Sequence, residues 1–217
     1  MLSLLFYGFN LGLIVAHSLY NAVADQIRID ISQIHEVGSD GHCGLFPAAI
    51  SMNREESKYV TVCRRMVKAM ERQSVYKNKK YLAAVADEVP YTQILANLAY
   101  MASPCHSKHW IVLPWHGQLM ADVFQLPVIH ISKHIMLTYL PLSHGPTNEA
   151  PLFLMYEGKY LYNAFWFSGS IYPAPPILRT WFKWPSNVAR DWEAVIQLNQ
   201  EECDWEFPAI PGVTANK

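Results

Sequence analysis

Asp40 and Cys43 stand three residues apart in the run Gly38-Ser39-Asp40-Gly41-His42-Cys43-Gly44-Leu45-Phe46, directly before a segment that reads as the start of a helix. An acid and a thiol at that spacing, set among glycines, is the layout of a cysteine nucleophile. A free thiol titrates near about 8.5, so only a few per cent is thiolate at neutral pH; a helix N-terminus or a neighbouring imidazolium lowers that value by several units. Cys43 at a helix start would gain from the first of these effects. Gly41 and Gly44 let the backbone come close to a scissile carbonyl, and the amides from Asp40 to Cys43 could form an oxyanion hole. The structural alternative for Asp40 is a turn or N-cap acid. The chemistry also asks for a base, and the last histidine of the chain is His144, so the final third of the sequence has no imidazole to offer.

The elements around this box follow from periodicity. Ile27, Ile29 and Ile31 alternate with polar residues, which predicts a short strand or extended lead-in to the box. A helix is expected from Cys43 to about Met52, with Pro47 tolerated because it lies near the start. Asn53 and Glu56 resemble a capping pair for the next helix, in which Tyr59, Cys63, Met66, Val67 and Met70 share one face. On that reading Arg64, Arg65, Lys68 and Arg72 form a solvated face. Helices are also expected over 80–87 and 92–101, parted by Pro90, and over 117–124. Strands follow at 127–132, 135–142, 151–158 and 159–167, divided by loops carrying Gly and Pro, and a last helix at 186–199. Helices first and a compact run of strands later predict an α+β domain, α/β/α-like, with a small central sheet flanked by helices.

Composition limits the function. At 217 residues, 51% hydrophobic and 16% charged, the chain can bury one substantial core and reads as a single domain. A formal net charge of −1 and a pI near 6.7 leave no electrostatic footprint for nucleic acid or an anionic membrane. Cys43, Cys63, Cys105 and Cys203 are far apart, with no CxxC pair, so neither a metal site nor a cofactor is expected. Cys63 and Cys105 read as small buried hydrophobes. Residues 1–16 are uncharged and apolar, and Ala22-Val23-Ala24 fits a signal-peptidase site; the run lacks a basic flank and is short for a membrane span. Residues 1–24 are therefore either a secretory leader, which would make the protein secreted, or an N-terminal helix of an intracellular one. The domain proper is expected over 25–200, with a polar tail over 201–217.

The box Asp40-Gly41-His42-Cys43 resembles the Asp-Gly-x-Cys motif of the ovarian-tumour (OTU) cysteine proteases, most of which cleave ubiquitin linkages. With Gly44-Leu45-Phe46 following the thiol, it looks closest to the OTU-like domains associated with transposons. Three further segments are similar in the same order: His109-Trp110 with Pro114; Leu137 to Leu142 with His144-Gly145-Pro146; and Pro175-Pro176-Ile177 with Trp181, Ala189 and Trp192-Glu193. The resemblance spans about residues 30 to 195. It implies an OTU-like fold, a thiol protease of the deubiquitinase or isopeptidase type, ubiquitin or a ubiquitin-like protein as partner, Cys43 as nucleophile and Asp40 as an active-site acid.

The family's base is where the sequence departs from the pattern. OTU proteases carry the catalytic histidine near the end of the strand region, in a context such as Gly-x-His-Tyr-Asn, and the counterpart here is Gly158-Lys159-Tyr160-Leu161-Tyr162-Asn163. One alignment puts Lys159 in the histidine position. The other puts Leu161 there, with Asn163 as the residue that would orient the imidazole. Lys159 would serve as a base only with its pKa depressed by about 3 units. His42 is adjacent to the thiol and would point away from it, while His130 and His134 lie on strand-like segments, where a solvent-facing or hydrogen-bonded ring is the common arrangement. His144 matches a family position that is not catalytic. Three functions stay open: an active cysteine isopeptidase with an unconventional base, a catalytically inactive pseudoenzyme that binds ubiquitin or another protein, and a secreted effector or decayed mobile-element fragment with no retained activity. Seven tryptophans add a further clue, most of them expected in the core; Trp110 and Trp166 are candidates for contacting substrate.

Overall fold

The computed structural model describes residues 31–35, 37, 42, 44–51, 58–85, 89–132, 136–157, 161–167 and 172–202, of which 32, 33, 51, 157, 161–167 and 202 are described by their backbone. The proposed leader over 1–24, the alternation at Ile27 and Ile29, the Asn53–Glu56 pair, His134 and the tail from 203 onward lie outside these residues.

Residue periodicity and element positions agree closely. Strand β1, Ile31–His35, leads toward the Asp-Gly-His-Cys box, and helix α1, Phe46–Ser51, follows it. α1 begins at Phe46 rather than at Cys43. The chain first makes a tight turn in which the carbonyl of His42 accepts the amides of Leu45 and Phe46 at 2.8 and 3.3 Å. Pro47 then falls in the first helical turn, where a missing N–H costs nothing because those donors have no partner inside the helix.

Helix α2, Tyr59–Arg72, buries Val62, Cys63, Met66 and Met70 and exposes Arg64, Arg65, Lys68 and Arg72, as its spacing predicts. Helices α3, Lys79–Val85, and α4, Tyr91–Ala99, are shorter and amphipathic. Helix α5, Trp115–Phe124, differs in kind, since every residue from Trp115 to Val123 is buried. A helix buried on all sides sits at the centre of a core rather than at its rim. The last helix, α6, Asp191–Glu202, starts five residues later than expected because Val188–Arg190 forms a separate 3-10 turn, tied by the amide of Ala189 to the carbonyl of Ser186 at 3.1 Å.

Strands β2 (Val128–Ile131), β3 (Leu137–Tyr139), β4 (Leu152–Glu157) and β5 (Leu161–Phe167) join β1 in one five-stranded sheet of order β1-β5-β4-β2-β3. Only β2 and β4 run parallel; the other neighbours are antiparallel. α1 packs on β5 and β4, and α5 on β2 and β3. Val128, Leu137, Leu152 and Leu154 share one hydrophobic cluster with Phe46 and Ala49 of α1 and Leu119 and Met120 of α5. The alternate strand positions Ile129, Ile131, Phe153 and Met155 are buried too, so the sheet is covered on both faces. This is an α+β fold built on a small mixed sheet. Among the described residues no helix is long and apolar enough to cross a membrane.

Candidate functional site

The register of the sheet decides which parts of the candidate site meet. β1 and β5 are antiparallel neighbours, with Gln33 opposite Trp166, Ile34 opposite Phe165 and His35 opposite Ala164. β1 is the segment that runs into the Asp40–Cys43 box, and β5 carries Leu161, Asn163 and Trp166. α1, which follows the box, lies against β5. The C-terminal end of β1 and the start of β5 are therefore neighbours at one end of the sheet. Asp40, Cys43 and Lys159 themselves lie outside the described residues; Leu161 and Asn163 are placed by backbone at the start of β5, Asn163 in register with Met155 of β4.

The residue that precedes Cys43 in sequence is turned into the protein. His42 is 3% exposed, its Nε2 lies 3.1 Å from the carbonyl oxygen of Ala102, and its ring centroid is 4.3 Å from that of Tyr59. Tyr59 in turn donates to the carbonyl of Met101 at 3.1 Å. His42 thus pins the turn before α1 to α2 and to the 101–102 segment.

One register row reveals a histidine that sequence reasoning missed. His35, Ala164, Leu154, His130 and Leu137 follow one another across β1, β5, β4, β2 and β3. Cross-strand partners share a face, and Leu154 and Leu137 belong to the cluster that α1 also enters, so His35 is on the α1 side of the sheet. It is half-buried at the outer strand. Its signal in the sequence is positional: it is the last residue of a strand that ends five residues before Asp40.

Three further histidines, His130, His116 and His109, have structural surroundings. His130 is buried rather than facing solvent, its ring 6.2 Å from that of Tyr156, and burial pushes its pKa down to about 4. His116 lies inside α5, its Nδ1 2.8 Å from the backbone amide nitrogen and carbonyl oxygen of Val112, and burial again pushes it down to about 4. His109 stacks on Tyr100 at 3.9 Å with its Nδ1 3.2 Å from Oδ1 of Asn97.

Cys63 and Cys105 are buried, and desolvation pushes the Cys63 thiol up to about 12, which keeps it protonated and inert. Trp110 is half-buried and donates from its indole to the carbonyl of Cys105 at 3.2 Å, a contact that closes its own loop. Trp115, Trp181 and Trp192 are core residues, as most tryptophans were expected to be.

No family model matches the sequence, and no curated protein matches it. Among solved structures the chain is similar to the crystal structure of the viral OTU domain protease from Dera Ghazi Khan virus, over 66% of this chain and 85% of that one, at 9% identity and a TM-score of 0.48.

Proposed function

We propose that the chain is an OTU-like cysteine isopeptidase that cleaves amide bonds at the C-terminus of ubiquitin or a ubiquitin-like protein, with Cys43 as nucleophile. The observation that supports this reading is the pairing of β1 with β5 under α1, which sets the end of β1, five residues ahead of Asp40 in sequence, beside the start of β5 that carries Leu161 and Asn163. In the chemistry proposed, the Cys43 thiolate adds to the scissile carbonyl, the base holds the thiol proton and passes it to the departing amine, and water then hydrolyses the thioester to release the carboxylate. Backbone amides of the box stabilise the oxyanion and Asp40 orients the site. Neither Lys159 nor Leu161 supplies an imidazole, and of the described histidines His35 is the one on the strand beside β5 and on the face that α1 covers; we assign it the role of base.

The test is labelling with ubiquitin carrying a thiol-reactive group at its C-terminus, followed against pH. An adduct that disappears in Cys43→Ala, and whose rate falls at least about tenfold with a shifted pH profile in His35→Gln, is the expected result. An adduct that survives Cys43→Ala, or none at high probe excess, overturns the enzyme. A Cys43-dependent adduct indifferent to His35→Gln but accelerated by Lys159→His moves the base to β5. Retained ubiquitin binding without any adduct would favour the second reading, an inactive ubiquitin-binding module, which the absence of an imidazole at 159 and 161 favours.

A further inference from the structure

The charged side of α2 does not simply face water. Arg65, Lys68 and Arg72 sit at positions i, i+3 and i+7, one face of the helix, and line a concavity of about 440 Å³ whose other walls include Gln73, Gln125 and His144. That volume lies in the lower part of the range of small-molecule sites. Several of its polar groups are held in place. Arg65 donates from Nη2 to the carbonyl of Val123 at 2.9 Å, and its guanidinium lies 5.2 Å from the centre of the Phe124 ring, so the fork is fixed at both its polar and its flat side. His144 is held by its neighbour and by α6, its Nδ1 2.9 Å from Oγ of Ser143 and its carbonyl accepting the Trp192 indole at 2.8 Å. Gln125 ends α5 in the left-handed region, with φ 61°, where glycine is the usual and cheaper residue. An amide side chain is kept at a position whose backbone alone would favour glycine.

Among the described residues of the lining the one carboxylate is Asp122, 2% exposed. Its Oδ2 accepts the hydroxyl of Tyr76 and its Oδ1 accepts the amide of Leu142 at 2.6 Å, so its oxygens are engaged by groups of the fold. Among the described residues, three cations therefore line a hollow whose one acid is engaged by groups of the fold. Cations in the last turn of a helix are ordinary partners of its negative end, and Arg72 alone would need no other explanation. Lys68 and Arg65 lie one and two turns earlier, and the side they share with Arg72 is concave.

We propose that this pocket binds a small phosphate monoester. Two guanidinium forks and an ammonium suit the three oxygens of a phosphate dianion, while the amides of Gln73 and Gln125 and the His144 imidazole offer further hydrogen bonds to the group it carries. The site is built from α2, the end of α5 and the loop after β3, and shares no residue with the thiol site, so it stands or falls independently of the isopeptidase reading.

Isothermal titration of the full chain with inorganic phosphate and with phenyl phosphate, against potassium chloride at matched ionic strength, tests this. The expected result is saturable binding of both phosphates, tighter for phenyl phosphate, weakened about tenfold or more in Lys68→Gln and again in Arg72→Gln, and unchanged in Cys43→Ala. Both substitutions fall at exposed positions, and a thermal melt of each variant confirms that it folds. Absence of saturable heat, or binding as strong in the Lys68→Gln, Arg72→Gln double variant as in the native chain, overturns the proposal.

Discussion

The carboxylate of Asp122 is the meeting point of three segments: α5 that carries it, the 3-10 turn Ser74–Lys77 through Tyr76, and the chain after β3 through the amide of Leu142. That chain is further held by Gln118, which donates to the carbonyl of Leu140 at 2.6 Å, and by Trp181, which donates to the carbonyl of Pro141 at 3.0 Å. Burial pushes the Asp122 carboxyl up to about 6, against the hydrogen bonds from Tyr76 and Leu142 that pull it down. Asp122→Ala would leave a buried phenol and a buried amide without their acceptor, and each such loss costs about 1–3 kcal/mol. A destabilisation of about 2–5 kcal/mol in urea unfolding is therefore expected, a large part of the stability of an ordinary domain. A change below about 1 kcal/mol would show that neither group depends on the acid. Asp122 could have been noticed as the one charge in the apolar run from Leu119 to Phe124, but its partners come from 46 residues before it and 20 after, and no local pattern announces them.

The packing of α5 on β3 depends on the absence of a side chain at Gly117. A β-carbon built there would come within 2.7 Å of the Tyr139 ring, closer than any real contact allows, and Tyr139 is fully buried with no room to retreat. Gly117→Ala normally favours a helix by about 1 kcal/mol, but here overpacking of about 1–3 kcal/mol opposes it. The net expectation is a lower melting temperature in Gly117→Ala, restored in part by Tyr139→Leu in the same chain; an unchanged or raised value would mean that helix and strand can part at little cost. Elements of this kind were legible in the sequence where one face decides the pattern. The apolar stripe of α2 and the four strands after residue 127 appear where their periodicity puts them, because period 3.6 and period 2 are local properties. What periodicity did not carry is pairing. β1 is joined to a strand about 130 residues later, so the His35 row, and with it the one histidine beside β5 among the described residues, became visible only in the folded sheet. The shared concavity of Arg65, Lys68 and Arg72 was hidden for the same reason: its other walls come from α5 and the loop at His144.

At the scale of the molecule, three buried titratable groups oppose one another as the pH falls. His116 and His130 are held down to about 4 by burial, from an ordinary 6.5. Between these values the unfolded chain takes up a proton on each imidazole that the native core refuses, so stability is full above about 6.5 and is lost on acidification toward 4. Asp122 acts with the opposite sign. Raised to about 6 from 3.8, it keeps a proton in the native state that the unfolded chain has shed, and this favours the fold as the pH drops through that window. Two imidazoles against one carboxyl leave a balance of about one proton, so the native chain should lose stability on going from pH 6 to pH 4 at about 1.4 kcal/mol per pH unit from these groups. His130→Leu removes one imidazole from the centre of the cross-sheet row while keeping an apolar side chain between Leu154 and Leu137. Every group common to both proteins cancels when their curves of unfolding free energy against pH are subtracted. The difference should change through the window from 6.5 to 4 with the slope of about one proton, the variant being the less acid-sensitive. Parallel curves would mean that the His130 imidazole is protonated as readily in the fold as in the unfolded chain, and that the sheet admits a charge at its core.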